Sequence, residues 1–551
     1  MNIRHHCARI ACVAALLAAL SATSALAQQS QIQILIGNAQ LPGMRWPNFV
    51  DYRATLQNFY SASGFTPVWL NGNQPTAVAL SLIQIFQRAD QKGLNPEDYD
   101  ASRWPHRLDD LRQSKDTATV ARFDVALTVS TMRYIDALFD GRIHTKHLGH
   151  PTQHGSKDLN IASFIRDQVI HSQNVSSAIA GIEPPFAAYR RTEKALAHYE
   201  DLAHREDGGK LPTVRKTVDP GQNYAGMPLL RRLLLLVGDL PQSYSPPTDA
   251  QLYDAPVVDA VKRFQRRHGL EEDGRLGAAT IRQLNVPLQQ RVRQLQLSLE
   301  RWRWLPHSFP APPIFVNIPD FRLRAVTPEM KVDLDMRVVV GRAMRTKTPV
   351  FAAEMTHVIF RPYWNVPRSI LRNEIIPDIQ RNRNYIAKNN FEVTTLDGRV
   401  VTDGSISDSI LDQLRNGALA VRQKPGDGNA LGLVKLVFPN GNDVYLHDTP
   451  STRLFARARR DFSHGCIRVE KPAELAAWAL RNNPGWSLER VRNAMQNGPD
   501  NVTVNLAQSI PVFIVYGTAI AYANGEVHFS DDIYHFDTKL IAELNKGYPY
   551  P

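Results

Sequence analysis

Between Pro306 and Pro313 the hydrophobic period of this chain changes, and that change bounds the folds open to it. Pro306, Pro310, Pro312 and Pro313 break the backbone there, since proline lacks the N–H that a continuing helix needs. Upstream, apolar residues recur at helical spacing. Downstream they come in short alternating runs bounded by turns, the mark of strands. At 551 residues the chain exceeds one ordinary domain. The reading is therefore a multidomain α+β protein, helical first and mainly β second.

Within the helical half, residues 28–225 read as a scaffold domain. Ala77 to Ala89 is an amphipathic helix ended by Gly93-Leu94-Asn95-Pro96. Phe123 to Phe139 carries Val125, Leu127, Val129, Met132, Ile135 and Leu138, and stops at Gly141. Pro184-Pro185 opens another helix through Tyr199. His144, His147, His150 and His154 have no metal-ligand spacing and read as solvated loop histidines. Residues 226–290 form a separate compact unit. Met227 to Val237 is an apolar helix; Val257, Val258, Val261 and Phe264 follow at helical spacing; Asp273-Gly274 is a turn. Ala260-Val261-Lys262-Arg263-Phe264-Gln265 through Leu284-Asn285 resembles the small three-helix peptidoglycan-binding module of cell-wall enzymes. Arg291 to Trp304 continues as a basic helix.

Residues 291–518 read as a mainly β domain. Ile314–Ile318 and Phe321–Val326 flank Pro319-Asp320 as a hairpin, and Leu334–Val340 and Met355–Phe360 are further strands. Leu431–Phe438 and Asp443–His447 form a second hairpin about Pro439-Asn440-Gly441, and Val512–Tyr516 is a late strand. Between about 368 and 430 the β pattern lapses. Arg368–Ala387 and Leu411–Ala420 read as helices, so the insertion is a candidate helical cap and mobile lid. Residues 519–551 are a C-terminal extension.

The N-terminus reads as an export signal at 1–27. Arg4, His5, His6 and Arg9 precede an apolar run from Ile10 to Leu20, and Ala25-Leu26-Ala27 is a small-residue cleavage site. The run is too short to span a bilayer, and no span is expected after cleavage. Removal of 1–27 takes Cys7 and Cys12, leaving Cys466 as the sole thiol. A lone thiol in an exported chain is a reactive group, an intermolecular link or a small buried hydrophobe. The net charge of +11 suits an anionic partner without selecting nucleic acid, membrane or acidic polymer.

Chemistry concentrates in Tyr445-Leu446-His447-Asp448 and Ser463-His464-Gly465-Cys466-Ile467-Arg468. A thiol, two imidazoles, a glycine beside the thiol and a guanidinium are the parts of an acyl-transfer site. Backbone N–H groups of Gly465 and Cys466 are candidate oxyanion donors. His447 is favoured as the base, its imidazolium lowering the thiol pKa; His464 is the alternative. If the segment is extended, Arg468 shares a face with Cys466 and could grip a carboxylate, unless it pairs with Glu470 or Asp461. One thiol and two imidazoles could bind zinc, but no H-x-H, H-E-x-x-H or paired C-x-x-C is present, and no metal is expected.

His447 followed by Ser463-His464-Gly465-Cys466-Ile467 resembles the signature of the L,D-transpeptidase family, with its YkuD-type catalytic domain. Arg468 stands where an older form of the pattern has Asn. Pro362-Tyr363-Trp364-Asn365-Val366-Pro367, His447-Asp448-Thr449-Pro450 and Asp532-Ile533-Tyr534 extend the likeness to the large, capped periplasmic subgroup of Gram-negative bacteria. The resemblance implies that Cys466 attacks meso-diaminopimelate at the third stem position, expels D-Ala, and passes the acyl group to an amine of a second stem. It implies His447, His464 and Gly465 at the catalytic centre, and Tyr445, Arg468, Ser463 and Trp364 as substrate contacts. It further implies no metal or nucleotide cofactor, peptidoglycan stems and the sacculus as partners rather than nucleic acid, a periplasmic location, a part in cell-wall biogenesis and shape, and acylation by carbapenems. Hydrolysis of the same bonds, as a carboxypeptidase or endopeptidase, and a non-catalytic wall-binding scaffold are the alternatives.

Overall fold

The computed structural model of the chain describes residues 27–114, 116–149 and 158–550. The expected export signal lies outside the described residues except for Ala27, as do His150 and His154. Among the described residues no helix is long and apolar enough to cross a membrane.

The first half is helical, as its apolar spacing predicts. Thr76 caps the Ala77–Gln87 helix by accepting from the Ala79 N–H. The central helix begins at Thr117 rather than Phe123, because Asp116 accepts from the Ala118 N–H and caps it there. It is buried on nearly every side, so it lacks the one-sided stripe that marks a surface helix. Gly141, with φ 84°, ends this region where a Cβ would stand 2.9 Å from Trp304 Nε1. Glu300, fully buried on the Leu288–Arg303 helix, accepts from the N–H groups of Arg142 and Ile143 and pairs with the Arg142 side chain at 3.1 Å.

Helices Met227–Leu236, Ala255–Arg267 and Ala278–Leu284 form the small module around a core that includes Met227, Leu230, Val261 and Ile281. The module is docked. Arg267 pairs with Asp239 and donates to the Val527 carbonyl at 3.2 Å, and Glu271 accepts from the Ala458 N–H at 2.7 Å.

The β domain closes on itself. Its strands follow the order Asp461–Ser463, Val332–Gly341, Ile467–Val469, Leu446–His447, Val434–Val437, Phe351–Phe360, Val502–Val515, Ile314–Asn317 and Arg322–Val326. Arg322–Val326 then pairs back to Val332–Gly341, which closes the ring and leaves few free edges. Both predicted hairpins are present, with Ile314 opposite Ala325 and Leu436 opposite Leu446. Val316, Leu323, Val338, Val358, Leu436, Leu446, Ile467 and Ile514 fill the interior.

The insertion is mixed, not helical. Strands Trp364–Asn365, Leu419–Gln423, Phe391–Thr395 and Val400–Thr402 build a four-stranded sheet in that order. Ile375, Ile379, Val393, Leu411, Leu414 and Val421 give it its own core. The predicted Leu411–Ala420 helix runs instead from Asp408 to Asn416, capped by Ser407, and its last predicted residues belong to a strand. Strands of three to five residues show too little alternation to stand out from polar helix in the sequence.

The C-terminal extension ties the molecule together. The hairpin of Ala519–Ala521 and Val527–Phe529 packs on helices Ala187–Arg205 and Leu288–Arg303. The chain then returns to the helical domain, where the Tyr550 hydroxyl donates to Asp98 at 2.6 Å and the Arg133 guanidinium lies 4.7 Å from the Tyr548 ring.

Candidate active site

Strand register assembles the site. His447 stands opposite Lys435 on one side and beside Arg468 on the other. Leu436, Leu446 and Ile467 between them are fully buried in the core. Successive side chains on a strand alternate faces, so Lys435, His447 and Arg468 project to the other face. Tyr445 and Cys466, two residues earlier on their segments, join them; the Ile467 N–H donates to the Tyr445 carbonyl at 3.1 Å and locks the alignment. Arg468 lies in the extended strand Ile467–Val469, and Cys466 stands just before it at the end of the loop.

Electrostatics set the resting state. His447 donates its Nδ1–H to the Asp448 carbonyl at 2.6 Å, which leaves the lone pair on Nε2. Burial first, and then the charge of Arg468, push its pKa down to about 3, so the ring is neutral. Burial also pushes the Cys466 thiol up, against smaller lowering effects from Tyr445 hydrogen bonds and the Lys435 charge. Burial thus favours a neutral thiol and a neutral imidazole over the expected thiolate and imidazolium. The thiol donates to the Asp443 carbonyl at 3.6 Å. Burial, then the neighbouring thiol, keeps the Tyr445 hydroxyl protonated and available as a donor. Lys435 Nζ sits 3.8 Å from the centre of the Tyr445 ring and holds it in place.

The loop before the thiol is held by its own residues. Ser463, 2% exposed, donates its hydroxyl to the Cys466 carbonyl at 2.6 Å and accepts from the Gly465 N–H at 3.1 Å. Ser463 thus shapes the loop. The Gly465 N–H is spent as well, so of the two predicted oxyanion donors only the Cys466 N–H meets no acceptor among the described residues. Gly465 adopts φ 123°, a backbone state that disfavours a side chain. Thr348 donates its hydroxyl to the Gly465 carbonyl at 2.7 Å, and the Thr348 N–H donates to the Tyr534 hydroxyl at 3.2 Å. Tyr534 in turn donates to the Gly341 carbonyl at 2.5 Å. The Asp532-Ile533-Tyr534 segment thereby braces the nucleophile loop from behind.

The remaining predicted residues separate. His464 turns away to the cap, its Nε2 2.6 Å from Glu374. Arg468 pairs with neither predicted carboxylate, because Glu470 is taken by Arg337 at 3.0 Å and Asp461 by Arg459 at 2.6 Å. Arg468 Nε is buried without a hydrogen-bond partner, and burial lowers its pKa ahead of the nearby charge of Arg342. A buried donor left unmet on a half-buried guanidinium favours an acceptor or an anion there. Trp364 packs on Phe391 within the cap, with ring centres 6.1 Å apart, and no contact brings it to the thiol. Sequence reasoning missed Lys435, Thr348 and Glu374. Lys435 was within reach, since its polar side chain interrupts an apolar strand opposite His447.

Comparison with known proteins fits this arrangement. Residues 312–503 match the L,D-transpeptidase catalytic domain, 228–284 a "Putative peptidoglycan binding domain" and 54–196 a "Scaffold domain". A Haemophilus influenzae protein named "Putative L,D-transpeptidase" is 34% identical over 255 residues, covering 46% of this chain and 50% of that protein. The chain thus spans about half the length of the curated relative it matches.

Proposed function

We propose that this chain, which carries an L,D-transpeptidase catalytic domain joined to a peptidoglycan-binding domain, is an exported thioester-forming acyltransferase acting on peptidoglycan stems. The observation that carries the reading is one sheet face presenting Cys466, a tautomer-fixed His447, the Tyr445 hydroxyl and Arg468 with its Nε unmet. Cys466 is the nucleophile. Its thiol proton passes to His447 Nε2 as sulfur attacks the diaminopimelate carbonyl. The Cys466 N–H and the Tyr445 O–H are the donors for the oxyanion, each worth roughly 3 kcal/mol in a water-excluded site. The intermediate collapses with His447 returning the proton to the departing D-Ala nitrogen. An amine of a second stem then takes the acyl group, which gives a 3-3 crosslink.

Substrate itself helps to activate the base. The Arg468 charge is the second cause, after burial, holding His447 neutral. A stem carboxylate on Arg468 offsets that charge, so His447 becomes a better base when the site is filled. A carbapenem carboxylate would use the same anchor while its lactam carbonyl acylates Cys466.

The test is incubation with a disaccharide-tetrapeptide, followed by intact-mass and product analysis. Wild type should carry a tripeptide thioester on Cys466, release D-Ala and form a diaminopimelate-to-diaminopimelate dimer. Cys466→Ser should form none of these, since a serine hydroxyl is a poor nucleophile without a stronger base. Dimer formation by that variant overturns the mechanism; free tripeptide as the sole wild-type product makes the enzyme a carboxypeptidase.

A further inference from the structure

The cap reaches the catalytic loop through one polar contact, His464 Nε2 to Glu374 Oε1 at 2.6 Å. Glu374 lies in a π-helical segment, Leu371–Ile375, inserted between α-helical turns, and such insertions recur at functional sites. An ionised carboxylate only accepts hydrogen bonds, so Nε2 of His464 carries the proton. Nδ1 then holds the lone pair, and it has no partner among the described residues. His447 shows the opposite tautomer, with Nδ1–H given to Asp448 and the lone pair on Nε2. The two imidazoles therefore differ in tautomer and in setting, His447 buried in the sheet and His464 exposed at its contact with the cap. His464 is only two residues from Cys466, which keeps their Cα atoms within about 7 Å.

The second half-reaction has work for both. A stem amine arrives as an ammonium ion carrying three protons, and the amide it becomes keeps one. One proton must leave before the nitrogen can attack. Another leaves as the C–N bond forms and the C–S bond breaks, and it goes through His447 to the departing sulfur. His447 cannot take both. Lys435 and Arg468 share the face of Cys466 and are cations, so neither accepts a proton from an ammonium ion.

Resting on the acyl-transfer reading above, we infer that His464 is a second catalytic base, deprotonating the acceptor ammonium ion, and that Glu374 of the cap is its positioning residue. R–NH3+ gives one proton to His464 Nδ1. The resulting imidazolium is held by the Glu374 carboxylate, as a carboxylate orients and stabilises the imidazolium of a triad. The free amine attacks the thioester carbonyl, His447 carries its second proton to sulfur, and His464 returns its own to solvent. Water as acceptor has only one proton to lose on attack, so hydrolysis needs His447 alone. The His464–Glu374 pair therefore selects an amine over water, and it is complete only with the cap in place.

The experiment separates the half-reactions at neutral pH in wild type, Glu374→Gln, Glu374→Asp and His464→Asn. The thioester on Cys466 and the first-turnover D-Ala burst report acylation. The dimer-to-tripeptide ratio reports acceptor choice. Hydroxylamine, already uncharged near neutral pH, is the control nucleophile. In Glu374→Gln acylation and hydroxamate formation should stay within about twofold of wild type while the dimer-to-tripeptide ratio falls about tenfold, and in His464→Asn the ratio, taken per thioester formed, should fall roughly 10²-fold. Glu374→Asp should recover part of the ratio. Equal losses of dimer and hydroxamate overturn the inference and leave the contact a structural one. Absence of any Cys466 thioester in wild type overturns instead the acyl-transfer reading on which it rests.

Discussion

The neutrality of His447 is a stability statement as well as a catalytic one. Its pKa in the folded protein is about 3, against about 6.5 for an unperturbed imidazole. Below about pH 6.5 the unfolded chain takes up a proton that the folded site refuses. The contribution of His447 to stability is therefore full above that pH and is lost progressively as pH falls toward 3. Denaturant unfolding from pH 7 to pH 4 should fall more steeply in wild type than in His447→Asn, by up to about 1.4 kcal/mol per pH unit. Buried His268 is also held neutral, but it is common to both proteins and cancels. Parallel curves would show that the ring is not held neutral. The same variant should lose roughly 10²-fold or more in acylation rate, because the thiol proton has no other acceptor.

At the scale of the element, the cap is the piece whose behaviour the structure revises. A core and sheet of its own make it a folded unit, not a loop that frays. Its neck is held by Asn429, 1% exposed, whose side-chain amide donates to the carbonyls of Pro362, Gln423 and Lys424 at 3.1, 3.3 and 2.9 Å. Asn429→Ala leaves those buried acceptors unmet, at a cost of about 1–3 kcal/mol. Hydrogen exchange should quicken at the neck, including the Val366 N–H that bonds the Val421 carbonyl. Amides inside the closed ring, such as Ile514, should keep their wild-type rates. Unchanged rates at Val366, or an equal rise throughout, would deny the neck that role.

At the scale of the whole molecule, the C-terminal segment joins regions that share little sequence proximity. Tyr516, Tyr534 and Asp532 brace the loop behind Cys466, and Tyr548 and Tyr550 seat in the helical domain. Tyr548 is buried, donates to the Arg133 carbonyl at 3.2 Å and stacks on the Arg133 guanidinium. Removing a buried aromatic ring costs about 3–5 kcal/mol. Tyr548→Ala should lower the melting temperature of the helical domain by several degrees, with the thioester yield at Cys466 held at moderate temperature. A melting curve that matches wild type would mean that the segment merely rests on that domain.

The order of architectures, the three-helix module and the catalytic-domain signature around Cys466 were legible in the sequence because each rests on local spacing. Helical and strand periods change over a few residues at Pro306–Pro313, and the thiol, glycine and both histidines fall within twenty positions of one another. Tertiary structure alone decided the partner of each imidazole. The sequence favours His447 with His464 as the alternative; in the fold one meets the Asp448 carbonyl and the other meets Glu374, 90 positions away. The fold also decided that Ser463 and the Gly465 N–H satisfy each other, that Arg468 goes without a carboxylate, and that Lys435 stands opposite the base. Cross-strand register and cap placement set these outcomes, and both arise from packing between segments that the sequence keeps far apart.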